Sequence, residues 1–191
     1  NLLTNGPLLV QGPVDGPFNL LVNTGLNTST FNSDIGSLLP LASVDLTGQS
    51  ASTQSVITGG FQRYAADVVL TGDMVAGGDL TLDRSLTLNT DTLLDASGNI
   101  ALGGSVNSAG ESPGDRSLEA ASIVITQLGD ASPIGALTVL ETGSFSSGPL
   151  TAGSIDITTQ DMLTNAPLTT LTGGMTVTNS GVWQIVPGAS F

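Results

Sequence analysis

Two aspartate pairs have a spacing that chemistry could use. Asp79 and Asp83 sit four apart, as do Asp91 and Asp95. Residues at even spacing on a strand share one face, so each pair could present two carboxylates to one substrate. Turn residues inside the second pair weaken that argument there. Two carboxylates at a suitable separation act as general acid and base in glycoside hydrolysis. Against catalysis, no aromatic platform or basic subsite lines up beside these acids along the sequence. Aspartates at strand ends also cap turns and keep β proteins soluble, and this is the reading adopted. No catalytic residue is assigned.

Other chemistries lose their usual parts. The chain has no His and no Cys, so a Ser nucleophile lacks its base and thiolate chemistry is absent. Zinc, copper and haem lose their usual ligands. No Gly-x-Ser-x-Gly elbow occurs, and no Gly-rich loop carries a Lys. Calcium could find oxygen ligands at Gly72-Asp73, Gly78-Asp79 or Asp95-Ala96-Ser97-Gly98-Asn99. Neither the EF-hand spacing nor the Gly-Gly-x-Gly-x-Asp repeat accompanies them, so these are read as structural turns. No metal or cofactor is expected. Thr81, Thr87, Thr138 and Thr176 could form an outward ladder of the kind that orders water, but Thr is also an ordinary solvent-facing strand residue.

Charge narrows the partners. Three Arg (Arg63, Arg84, Arg116) face sixteen acids with no Lys, for a net charge of −13. Phosphate binding needs a basic face, so nucleic acid is a poor partner, and an anionic membrane is disfavoured likewise. No apolar run reaches the ~18 residues of a membrane span.

The elements that must position these residues come from one repeated pattern. Leu80-Thr81-Leu82, Leu86-Thr87-Leu88, Ile100-Ala101-Leu102 and Ile123-Val124-Ile125 each put two large apolar side chains on one face. Leu137-Thr138-Val139, Ile155-Asp156-Ile157 and Met175-Thr176-Val177 repeat the pattern. Centres at 81, 101, 124, 138, 156 and 176 recur at intervals close to twenty residues. Such a period signals a solenoid, in which each unit buries its apolar face by stacking on the next. Aromatics are only 4% of the chain, so the core must be aliphatic, which suits narrow regular coils.

The chain divides coarsely along these lines. Residues 1–24 and 40–58 read as strands with turns, and 25–39 as a looser stretch. Residues 64–106 are the cleanest strand series, 107–115 a breaker-rich loop, and strands resume over 118–159 and 168–186. No convincing amphipathic helix is present: the best candidate, Ser117-Leu118-Glu119-Ala120-Ala121, amounts to about one turn with a strand directly after it. Trp183 is expected to pack near an end. Internal echoes support duplication. The region around 6–46 resembles that around 98–139 at an offset of 92–93 residues, and Asn1–Leu8 resembles Asp161–Leu168.

Gly60-Phe61-Gln62-Arg63-Tyr64, leading into Val68–Asp73 and Gly78–Leu82, joins the elements at 35–46 and 128–139. Together these resemble the repeat region of filamentous-haemagglutinin-like surface proteins and large bacterial autotransporter passengers. The resemblance implies a right-handed parallel β-helix, export across an outer membrane, and adhesion or surface scaffolding.

The expectation is therefore an all-β chain, a right-handed parallel β-helix with roughly twenty residues per coil. Residues 1–191 form a single solenoid segment of a larger protein, with on the order of nine coils and a length of about 45 Å. Its expected role is that of a non-catalytic extracellular rod at a bacterial cell surface. Expected partners are further copies joined end to end or into filaments, and a host-cell or glycan receptor. Nucleic acid binding and membrane insertion are not expected. Two alternatives are a β-helix polysaccharide-degrading enzyme and an ice- or glycan-binding module.

Overall fold

A computed structural model describes residues 2–4, 6–109, 116–129, 132–164, 167–170 and 173–185. Among these residues the chain is all strand and turn, with no helix. The strands are Leu2–Leu3, Leu8–Val10, Asn19–Asn23, Thr28–Phe31, Ser43–Thr53, Val56–Thr58, Gln62–Leu70, Met74–Ala76 and Leu80–Leu82. They continue as Leu86–Leu88, Thr92–Ser108, Arg116–Leu128, Ile134–Ser147, Leu150–Thr164, Leu168–Thr170, Met175–Asn179 and Trp183–Ile185.

Each described pairing is parallel and joins residues about one coil apart, which is a β-solenoid. The coil has three faces. On the first, Val22, Leu46, Tyr64, Leu82, Leu102 and Ile125 stack in register. The second stacks Leu8, Ser29, Ala51, Val68, Leu86 and Val106. On the third, Val14, Ile35, Val56, Met74, Leu94, Leu118, Val139, Ile157 and Val177 form a continuous column. The column climbs from Val14 to Val177 in eight steps, close to the repeat length that the triads suggest. The steps are unequal. Val56 to Met74 is among the shortest, and Leu94 to Leu118 is the longest.

The period-2 pattern explains which side chains fill the lumen. Leu80, Leu82, Leu86, Leu88, Ile100, Leu102, Ile123, Ile125, Leu137, Val139, Ile155 and Ile157 are all buried, as expected, and Val177 is partly so. Burying each such side chain contributes about 1.5–3 kcal/mol. The recurrence of the triads resolves into two series. Thr81, Ala101 and Val124 are successive positions outside the first face, and Thr138, Asp156 and Thr176 outside the third. The short interval between 124 and 138 is a passage between faces, not a short coil.

Corners are where the ladder slips. The 17-residue strand Thr92–Ser108 touches all three faces, with register shifts between Ala96 and Asn99 and between Leu102 and Ser105. Glycine permits tight stacking there. A Cβ on Gly77 would run into the Gly59 carbonyl one turn earlier, and one on Gly148 into that of Thr126.

One expectation about local structure changes, and the one-turn helical candidate resolves as strand. The stretch 25–39 contains the strand Thr28–Phe31 and the bridging residue Ile35. Its Thr and Ser alternate between solvent and lumen, and the ladders on either side recruit them despite their polarity. Residues 117–121 are strand, because Leu118 is paired with Leu94 below and Val139 above. Ladders on both sides outweigh a single turn of helical propensity. Of the breaker-rich loop, Asn107 and Ser108 end the strand Thr92–Ser108, and 110–115 lie outside the described residues. The paired blocks around 6–46 and 98–139 join different faces: Leu8 lies on the second and its counterpart Ile100 on the first. In the third echo, Leu8 and Leu168 share the second face.

Candidate functional site

The Asp79–Asp83 pair flanks the strand Leu80–Leu82, whose Leu side chains point inward. Both aspartates therefore face out from the first face. At about 3.3 Å per residue, their Cα atoms are roughly 13 Å apart. Glycosidase carboxylates work at about 5–9.5 Å from each other, so these two would have to lean together, and their separate hydrogen bonds hold them apart. Each also has its own partner. Asp79 Oδ1 accepts hydrogen bonds from the Asn99 amide (2.8 Å) and from Asn99 Nδ2 (3.1 Å). Asp83 Oδ2 accepts one from Arg63 Nη2 at 2.7 Å, and Arg63 Nη1 lies 3.7 Å from Asp45 Oδ1.

Asp91 and Asp95 belong to the third face, where Asp95 stacks between Val75 and Glu119. The structure does not bring the two pairs together on one face.

Stacking also reveals neighbours that linear spacing hides. The register places Gln62 on Leu80 and Arg63 on Thr81, one short coil later. Phe61 thus stands beside Asp79, and Arg63 within reach of Asp83. An exposed aromatic ring and a cation do lie next to these acids, contrary to the linear reading. The only signal that could have found them is the shortness of this coil relative to the average.

The aspartates share a further role. Asp15 Oδ1 accepts from the Leu38 amide at 2.9 Å, and Asp34 Oδ1 from Ser55 at 3.2 Å. Asp67 Oδ1 binds the Ser85 amide (3.3 Å) and hydroxyl (2.6 Å). Asp73 Oδ1 accepts from Leu93 at 2.9 Å, and Asp161 Oδ1 from Val182 at 2.8 Å. In each case, as with Asp79 and Asn99, the carboxylate belongs to one turn and the amide to the next. Corner amides left without a ladder partner thus receive a charged acceptor. The turns considered for calcium at Asp73 and Asp79 use their carboxylates in this way. Among the described residues, no group of three or more acidic side chains is placed to hold a metal.

The four threonines are dispersed. Thr81 is on the first face and Thr87 on the second, while Thr138 and Thr176 on the third are separated by Asp156. Trp183 pairs with Met162 in the last described turn and is 41% exposed.

No helix among the described residues is long and apolar enough to cross a membrane. Compared with known proteins, the chain matches no family model, no curated protein and no solved structure.

Proposed function

We propose that this chain is a structural, non-catalytic rod, part of an extracellular adhesin or filament at a bacterial cell surface. The observation that carries the reading is the use of its carboxylates. At least six hold the next coil by a backbone amide and two more flank an arginine, so the acids serve the stack. A solenoid with hydrogen bonds running from coil to coil resists bending, which suits spacing and scaffolding. Its surface of Thr, Ser, Asn and Asp with few cations suits solvent rather than polyanions. End-to-end association into filaments belongs to the same reading, because a parallel ladder can be extended by pairing with a further coil.

Incubation with acidic and neutral polysaccharides tests the non-catalytic part. The expected result is no release of reducing ends. Turnover lost on Asp79→Asn or Asp83→Asn would establish an enzyme instead. Sedimentation at rising concentration tests association: species growing in multiples of the 19.1 kDa chain are expected, and a monomer at every concentration contradicts it.

A further inference from the structure

The corner leading from the third face into the first carries two exposed aromatic rings. Phe18 and Phe61 are 45% and 46% exposed. The Phe18 carbonyl accepts the Ala42 amide of the next turn at 3.0 Å. One turn further on, Gly60 packs so closely that a Cβ would strike the Ala42 carbonyl. Phe61 follows it directly. The two rings are therefore attached two turns apart, about 10 Å along the rod. The turn between them contributes the exposed Ala42 and the buried Ser43, whose hydroxyl donates to Asn19 Oδ1 at 2.8 Å. In the adjacent column the corner continues through glycine, with the Gly78 amide bonded to the Gly60 carbonyl at 3.1 Å.

A polar rim borders this strip. Asp79, held by Asn99, stands one turn on from Phe61. Two residues past Phe61 is Arg63, fixed between Asp45 and Asp83 yet with 46% of its side chain exposed. Its ion pairs pre-orient it, and its five N–H donors exceed what two carboxylates consume.

We propose that this corner binds a neutral, extended oligosaccharide running along the rod axis. A sugar ring has an apolar C–H face and a rim of hydroxyls. The first suits an exposed phenyl ring, and the second suits a fixed guanidinium and its carboxylates. Attachment points two turns apart, about 10 Å along the rod, suit rings that meet separate sugars of one extended chain. The charge of −13 and the absence of Lys disfavour sulfated or uronic glycans. A second copy of this chain would bring the same charge to the same place. The proposal rests on reading the chain as a non-catalytic surface rod, and gives that rod a ligand.

The test is an amide NMR titration of the full chain with β-linked gluco-, xylo- and N-acetylglucosamine hexasaccharides, with a heparin hexasaccharide as the anionic arm. At least one neutral sugar is expected to give saturable shifts centred on Phe18, Phe61 and Arg63 below about 10 mM. Phe18→Ala and Phe61→Ala should each weaken binding about tenfold or more, with the amide spectrum away from this corner unchanged, as a retained fold requires. Phe61→Tyr should retain it. No saturable shift with any neutral sugar, affinity indifferent to both alanine variants, or preference for heparin would overturn the site while leaving the rod reading intact. Cleavage of the sugar during the titration would overturn the rod reading as well.

Discussion

Tyr64 donates its phenolic hydrogen to Gln62 Oε1 across 3.0 Å, inside the lumen, where both side chains are 1% exposed. Gln62 Nε2 in turn donates to the carbonyls of Val56 (3.1 Å) and Val75 (2.9 Å) on the third face. One polar side chain thus crosses the interior and ties two successive turns to the first face. All its amide capacity toward the core is used, as a buried polar group requires.

Removing that tie should be costly. Gln62→Ala removes three buried hydrogen bonds, leaves the Tyr64 phenol without its acceptor and opens a cavity in the lumen, each bond being worth about 0.5–1.5 kcal/mol. Urea unfolding should show a loss of about 3 kcal/mol or more, against about 1 kcal/mol for Tyr64→Phe.

Burial also pushes the Tyr64 phenol above its ordinary range, since the phenolate would be desolvated. The folded chain keeps its proton where the unfolded chain, with a pKa near 10, releases it. Stability from this group is therefore complete below about pH 10 and declines as pH rises above it. Comparison of denaturant midpoints at pH 8 and pH 11 should show a smaller decline in Tyr64→Phe.

Corner glycines should split into two groups. Gly77→Ala and Gly148→Ala drive a methyl into the backbone of the previous turn and should lower stability by about 1–3 kcal/mol. Gly12 and Gly174 have nothing within 4 Å of a Cβ. Alanine there should be neutral or stabilise by up to about 1 kcal/mol, through the unfolded chain. Thermal melts of the four variants decide the matter.

The aspartate staples predict a directional effect. Asp79→Ala should speed hydrogen exchange at the Asn99 amide, one turn later, and leave the amides of the preceding turn unchanged. Asp79→Asn keeps a carbonyl acceptor and should restore most of the protection. The solvent-exposed ion pair is a contrast. Arg63→Ala should cost only about 0–1 kcal/mol, less at high salt.

The triads from Leu80-Thr81-Leu82 to Met175-Thr176-Val177 were legible because a period of two marks a strand with one wet face. Their stacking into a solenoid was legible because the triads recur. What linear spacing could not supply was the register. Coils of unequal length decide that Phe61 meets Asp79 and that Thr138 and Val124 look out from different faces. Gln62 was invisible as a core residue because polarity alone argues for solvent, and only its crossing to Val56 and Val75 explains its place.

The most direct test of the stacked-coil account is a set of spin-label distances along one outer column. The chain has no Cys, so cysteines at Thr30, Thr87 and Thr169 label cleanly. Thr30 and Thr87 lie three turns apart through Ser52 and Val69. Thr169 lies four turns beyond Thr87, past Asn107 and Thr151. The account predicts backbone separations of about 14 Å for Thr30–Thr87, 19 Å for Thr87–Thr169 and 34 Å for Thr30–Thr169, adding along one line. A Thr30–Thr169 distance shorter than the sum of the other two by more than the label linkers allow would contradict it.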